Sequence, residues 1–503
     1  MIDPLRAAAF ELARSVREGT TTARALVDQL IARALIVNPR INAIAEERFG
    51  AAREEADLCD ARARRGEPLG PLAGVPFTVK EMIDCAGMPS TYGCSTRSER
   101  RAGSDATIVR RLRAAGAIPI ASTNIPEWGL WYETANLIYG RTSNPYDVRC
   151  TCGGSTGGEA ALVASGASAF GVGSDIGGSI RIPSAFCGVF GHKPSAGLIP
   201  LTGHYPVFEN GASAPAGMPQ VRVNPWLTVG IIARSARDLL PLLRIVAGPD
   251  GVDPNASAIT LGDDQINWEG RRVWVMDNPR IRLAGAPTST VIGGIRRAGD
   301  AFTKRGADVR ALHSDMFRNA VVMWFKALES VGDAKLAVLM SPDGKLSVMR
   351  ELMRYALGSP RYTFPALVFC LLEQLPGRSQ DRLARALEQI TALQREIDSL
   401  LADGAVLIMP PHPRPAPRHR RAMLHPFAFA YTGVVNLLRM PATVAPVARD
   451  SHGLPIAVQV IAAFGNDHLT CAAARLLEDA SGGWALATPD LRSHRGTEVP
   501  QCH

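Results

Sequence analysis

Apolar residues recur at three- and four-residue spacing near the start of the chain, as at Leu26, Leu30, Ile31 and Leu35. That is the period of a helix with one buried face, and Thr21-Thr22 stands where an N-cap would. Residues 3–65 are therefore expected to be helical. The period changes at "PLAGVPFTVKEMID", where Val75 to Val79 is a short, β-branched apolar run ending at Lys80. The lysine is thus expected at the end of a buried strand. Next, "ATIVRRLRAAGAIPIASTNIP" reads as a helix, a stop at Gly116, and a strand through Ile118 and Ile120. This alternation predicts an α/β fold with helices packed on an open sheet. Residues 159–170, compact and poor in polar groups, read as a buried helix.

Between 260 and 400 the pattern shifts. "NAVVMWFKALESVGDAKLAVLM" and "RLARALEQITALQREIDSLLAD" have the period of long amphipathic helices, with "YALGSPRYTFPALVFCLLEQLPG" as an apolar connector. The end returns to alternation: "VLIMPP", "PATVAPVA" and "LPIAVQVIAAF" read as strands, followed by a helix at "DHLTCAAARLLEDA". No internal repeat is present.

Composition narrows the class. With 503 residues, 46% of them hydrophobic and 20% charged, the chain is an ordinary globular protein of one large domain or two. The net charge of +8 is spread thinly. Its densest basic patch, "RHRR" at 418–421, lacks aromatic platforms and reads as a solvated loop, so no nucleic-acid partner is expected. Nine scattered cysteines form no C-x-x-C pair and read as free thiols of a reducing compartment. The first twenty residues carry acids and arginines and no apolar core of a signal peptide, and the longest uncharged run, 160–174, is too short to span a bilayer. A cytoplasmic location without a transmembrane segment is expected.

Two serines compete for the chemistry. "TCGGSTGGEA" contains Gly153-Gly154-Ser155-Thr156-Gly157, a G-x-S-x-G sequence of the kind on which hydrolases mount a nucleophile. That motif needs a strand leading in, whereas "NPYDVRCTC" upstream reads as turn and loop. In "SDIGGS" the amides of Ile176, Gly177, Gly178 and Ser179 can turn inward together and form an oxyanion hole. A tight turn that merely needs its glycines accounts for the same residues. No group of His, Cys or carboxylates has metal-ligand spacing, so neither metal nor organic cofactor is expected.

The run "CGGSTGGEAALVASGASAFGVGSDIGGSIRIPSAFCGVFGHKPS" resembles the amidase signature, and "GVPFTVKEMIDCAGMPSTYGCS" resembles the lysine segment of the same family. "NPYD" and "MPATVAPVARDSHGLPIAVQVIAAFGNDHLTCAAARLLE" are similar to it as well, so the likeness covers roughly residues 20–480. The wording of "TVKEMID…GMPSTYG" and "HPFAFAYTGVVNLLRMPATV" looks most like the branch of fatty-acid-amide-hydrolase-like enzymes. The resemblance implies one large amidase domain, a central mixed β-sheet covered by helices on both faces. Within it, 1–65 would be N-terminal helices, 66–240 the signature core, 260–400 a variable helical insert and 401–485 the C-terminal part of the core.

The resemblance also implies a Ser–cis-Ser–Lys triad: Lys80 as base, Ser155 as bridge behind a cis peptide bond, and Ser179 as nucleophile. It places Gly129, Leu130, Trp131 and Tyr132 on the acyl-binding wall, with Thr156 beside the bridging serine as a further substrate contact. Asp175 and Arg181 flank the nucleophile loop and are expected to pair and brace it. Cys152 stands for a frequent proline and Ser174 for a frequent threonine, neither expected to touch the triad. Met316, Phe317, Met323, Trp324, Phe325, Phe364 and Phe369 of the insert read one by one as core, and taken together as the lining of an apolar acyl or aryl pocket. The expected activity is hydrolysis of a small-molecule carboxylic amide to acid plus amine or ammonia through an acyl-enzyme, favouring hydrophobic acyl or aryl groups, with a homodimer as the candidate assembly. The rivals are an amidotransferase subunit of a tRNA-dependent complex and a silent binding protein on the same fold.

Overall fold

The computed structural model describes residues 2–204, 225–331, 336–341, 346–374 and 380–489. The apolar runs form strands β1 (Ile44–Glu47), β2 (Pro76–Lys80), β3 (Ile118–Thr123), β4 (Ala135–Asn136), β5 (Gly140–Arg141), β6 (Phe170–Asp175), β7 (Phe190–Lys193), β8 (Thr228–Ala233), β9 (Arg272–Val275), β10 (Asp308–Ala311), β11 (Val406–Met409), β12 (Ala442–Arg449) and β13 (Pro455–Ala462). β4 and β5 make a small hairpin, and the others build an 11-stranded sheet in the order β1-β3-β2-β6-β8-β7-β12-β13-β11-β9-β10. β3, β2 and β6 run parallel, and so do β11, β9 and β10. The strands between β6 and β11 pair antiparallel, which makes the sheet mixed.

Strand β11 shows why helices cover both faces. Its side chains alternate, as a pleated strand requires. Val406 and Ile408 join a core built with the helices Ala23–Ile41, Gly157–Ala164, Ser289–Thr303 and Asp467–Ser481. Leu407 and Met409 join a second core with the helices Ala320–Val331, Gln380–Leu400 and Ala430–Leu437. No helix among the described residues is long and apolar enough to cross a membrane. The eight described cysteines are free, and Cys502 lies outside the described residues.

Four expectations from periodicity change in detail. β1 interrupts the helical stretch of residues 3–65 and pairs antiparallel with β3 at the sheet edge, a pairing that local spacing does not encode. The buried helix after Ser155 stops at Ala164, and Phe170 already begins β6. The apolar connector holds a helix of its own, Phe364–Gln374. The long helix read over 319–340 appears as Ala320–Val331 and Leu336–Met340, with 332–335 outside the described residues. Pro446 is accommodated inside β12 by a register shift between Pro446 and Ala448, the usual way a strand absorbs a missing N–H donor.

What positions the site is the parallel trio β3-β2-β6. Parallel neighbours bring their carboxyl ends to one sheet edge, where their loops converge. The loops after Thr123, Lys80 and Asp175 therefore leave from the same edge. The helix Gly157–Ala164 packs on β6 because β6 offers glycines: a Cβ at Gly173 would overlap Thr156, and one at Gly171 would overlap the Glu159 carboxylate. Replacing Gly173 with alanine should therefore lower stability by about 1–3 kcal/mol through overpacking. The urea midpoint would report this at unchanged slope.

Candidate active site

Lys80 closes β2 and is 1% exposed. Its Nζ donates to Ser155 Oγ at 2.7 Å and to Ser174 Oγ at 3.0 Å. Burial pushes the amine down to about 7, against the opposing pull of Asp175, Glu159 and Glu81. Of those carboxyls, Glu159 is itself pushed up to about 8 by burial, although Thr78, Thr123 and Lys80 oppose the shift. Asp175 behaves oppositely. Burial disfavours its charge, yet the Arg181 guanidinium holds it well below the ordinary carboxylate range. The ionised carboxylate of this site is thus Asp175, and the lysine can lose its proton near neutrality.

Ser155 follows a cis peptide bond from Gly154. Gly154 packs against the 131–133 backbone, where an added Cβ would stand 2.7 Å from the Trp131 carbonyl oxygen. An added Cβ at Gly129 would lie 3.4 Å from Ser155 Oγ, so this loop faces the serine. Ser155 is buried, whereas Ser179 is half-buried and reaches solvent. The two serine segments are laced together by Thr156 N–H donating to the Ser179 carbonyl at 3.0 Å.

The loop Ile176–Ser179 is held by Asp175 and Arg181. Asp175 accepts from the amides of Gly178 (2.8 Å) and Ile180 (3.0 Å). Arg181 reaches both Asp175 oxygens, at 2.9 and 3.1 Å, and both side chains are fully buried. The remaining guanidinium donors go to Gln459 Oε1 at 3.1 Å and Asn436 Oδ1 at 2.5 Å. Gly178 adopts φ +119°, which suits glycine, and a Cβ there would overlap Thr432.

Several residues named from the sequence sit differently from expectation. The Gly178 amide is engaged by Asp175, while the amides of Gly177 and Ser179 make no hydrogen bond among the described residues. Thr156 is fully buried, and its hydroxyl donates to the Ser174 carbonyl at 3.3 Å, so it props strand β6 instead of facing the opening. Tyr132 turns its ring into a separate core, with its hydroxyl 2.7 and 2.6 Å from the carbonyls of Ala422 and His425. Trp131 lies beside it with the rings tilted by 30° at 4.9 Å, and Leu130 packs against the cluster containing Met82 and Trp128. Ser174, read as remote, is corrected: the parallel pairing of β2 and β6 sets it beside the lysine amine.

The insert residues also divide. Phe317 and Met323 belong to the core, with Met316 packed against it, and Phe364 is exposed beside Tyr355. Trp324, a member of the same core, also lies over the Ile176–Ser179 loop. A Cβ at Gly177 would be 3.4 Å from both the Trp324 and Phe429 rings. Phe325, Phe369, Phe427 and Phe429 continue this patch at centroid distances of 6.1 to 6.4 Å from Phe325. Phe427 and Phe429 were not singled out from the sequence, since nothing local distinguishes them from core aromatics.

The family model described as Amidase matches residues 25–471. The chain belongs to the amidase signature family. This amidase is 34% identical over 490 residues to fatty-acid amide hydrolase 2 of Homo sapiens, covering 94% of this chain and 89% of that one. It is 36% identical over 494 residues to fatty-acid amide hydrolase 2-B of Danio rerio, covering 95% and 90%. A bacterial aryl acylamidase of the family has the same fold, with a TM-score of 0.78 at 23% identity over 95% of this chain and 97% of that one. The enzyme is a hydrolase acting on amide bonds.

In this amidase the Asp175–Arg181 pair is buried beyond reach of water. Asp175→Asn would leave the guanidinium as an uncompensated buried charge, and the fold should lose about 3–5 kcal/mol. A chemical denaturation midpoint measures that loss.

Proposed function

We propose that this amidase cleaves carboxylic amides through Lys80, Ser155 and Ser179, with an acyl group carried transiently on Ser179. The observation that carries this reading is the 2.7 Å contact between Lys80 Nζ and Ser155 Oγ, sealed from water behind the solvent-reaching Ser179. Serine at its own pKa is a weak nucleophile and needs a base. A lysine held near 7 by burial is that base once neutral. Neutral Lys80 accepts the proton of Ser155 while Ser155 accepts that of Ser179, whose Oγ attacks the carbonyl carbon.

The developing oxyanion is received by the inward amides of Ile176, Gly177 and Ser179. The Gly178 amide serves Asp175 instead and keeps the loop in shape. As the C–N bond breaks, the proton returns through Ser155 to the leaving nitrogen, a step amides require because an unprotonated amide ion leaves poorly. Water then releases the acid from Ser179 by the reverse relay. Ser174 Oγ, accepting from the amine at 3.0 Å, steadies it.

The acyl chain is proposed to lie on the patch of Trp324, Phe325, Phe369, Phe427 and Phe429 beside the nucleophile loop. The printed name of the two relatives, fatty-acid amide hydrolase, is in keeping with an apolar acyl group. Hydrophobic acyl or aryl amides are therefore the proposed substrates.

Ser179→Ala should abolish turnover and fluorophosphonate labelling. Ser155→Ala and Lys80→Ala should cost several orders of magnitude with the fold intact by circular dichroism. The working lysine is the neutral one, so kcat/KM should rise with pH through about 7 and fall away below it. Full activity in Ser179→Ala would sink the assignment.

Acyl length supplies the second test, with kcat/KM measured from acetyl to palmitoyl amides. Each buried methylene contributes about 0.8 kcal/mol, so four further carbons should raise kcat/KM by up to about two orders of magnitude. A flat profile would remove the apolar patch from the reading and leave the triad standing.

A further inference from the structure

The proposed oxyanion loop is clamped from behind, one peptide at a time. A trans peptide unit is planar, with its C=O and N–H pointing in opposite directions. Whatever grips the carbonyl of one residue therefore aims the amide of the next. Ile182 N–H donates to the Gly178 carbonyl at 2.7 Å and so aims the Ser179 amide. Thr432 Oγ1 lies 2.7 Å from the Gly177 carbonyl, and the opposite end of that unit, the Gly178 amide, meets Asp175. The Asp175–Ile176 unit is held through its carbonyl, which accepts from Asn436 Nδ2 at 3.0 Å, and the last unit joins Ile176 to Gly177. Its carbonyl accepts one side-chain hydrogen bond, from the indole Nε1 of Trp324 at 3.0 Å.

Trp324 lies outside the signature segment, on the helix Ala320–Val331 that packs against Ala430–Leu437. The indole is itself held edge-on by Phe429, at 4.7 Å and 69°, and by Phe325, at 5.2 Å and 89°. Its ring edge stands 3.4 Å from where a Cβ of Gly177 would be. One side chain of the insert therefore meets the nucleophile loop in two ways. Its N–H grips a backbone carbonyl, and its benzo ring lies against Gly177 of that loop.

We propose that Trp324 is a positioning residue for hydrolysis: its indole N–H holds the Ile176–Gly177 peptide so that the Gly177 amide points at the oxyanion, while its benzo ring shapes the acyl side. The proposal rests on the reading of Ser179 as nucleophile given above. It gives the helical insert a part in the chemical step as well as in binding.

Two substitutions separate the two parts. Trp324→Phe keeps an apolar ring and removes the donor. Trp324→His drops the benzo ring and keeps a donor, because histidine Nε2 occupies the place of indole Nε1 in a five-membered ring. The substrates are p-nitroacetanilide and the p-nitroanilide of decanoic acid. Outright loss of an oxyanion donor costs about 100- to 1,000-fold in kcat, so misaiming one in Trp324→Phe should cost about 10- to 100-fold on both substrates, with KM little changed. The Ki of a decanoyl trifluoromethyl ketone should rise by the factor by which kcat/KM falls. Trp324→His should recover the acetyl kcat and weaken KM for the decanoyl substrate alone.

Either variant decides on its own. Trp324→Phe with unchanged kcat on the acetyl substrate, or Trp324→His as slow on it as a donor-less enzyme, overturns the positioning role while the amidase reading stands. A wild-type enzyme that cleaves neither anilide and is not labelled at Ser179 overturns the reading beneath it, and the proposal with it.

Discussion

Asp175 ends a fully buried strand, and the loop that follows it folds back onto its carboxylate. Three backbone amides, those of Gly178, Ile180 and Arg181, the Arg181 guanidinium and the Asn436 amide all converge on its two oxygens. A buried carboxylate this well supplied stays ionised, and its charge in turn compensates an arginine that no water reaches. Arg181 and Asn436 then carry the knot outward to β13, through Gln459, and to the helix Ala430–Leu437. The loop bearing Ser179 is therefore shaped by charge pairing in the core, before any substrate arrives.

That arrangement also sets the electrostatics of Lys80. A fully buried amine prefers to be neutral, and each nearby carboxylate pulls the other way. Glu159 withdraws much of its pull because burial favours its protonated form, with hydroxyls of Thr78 and Thr123 around it. Asp175 keeps its charge but shares it with Arg181. The balance brings the amine down to about 7, held between two serine hydroxyls with no carboxylate in direct contact among the described residues.

The helical insert is joined to this centre by more than apolar contact. Trp324 bonds to Ile176, and on another side Glu127, next to the loop that faces Ser155, accepts from the Thr363 amide at 2.6 Å. Ser95 and Thr96 add bonds to the carbonyls of Arg361 and Met340. Residues of the insert thus touch both walls of the site, and changes in the insert reach the backbone that surrounds the serines.

Much of this was legible in the chain itself. The β-branched run before Lys80, the paired glycines before each serine and the alternation of helix and strand point to an α/β fold and to two candidate serines, because those features express local backbone requirements, whereas the parts of Lys80, Ser155 and Ser179 are what the resemblance to the amidase signature implies. Proximity across the sheet is of another kind. Ser174 meets Lys80 only because β6 lies parallel to β2. Thr156 turns inward only because Gly173 makes room for it, and the Gly178 amide is taken by a carboxylate three residues back. Trp324 and Phe317 have the same apolar character in sequence and join the same core, yet only Trp324 also reaches the Ile176–Ser179 loop among the described contacts. Periodicity can say that a side chain is buried, but what it is buried against is decided by strand order and helix packing, which join residues far apart in the chain.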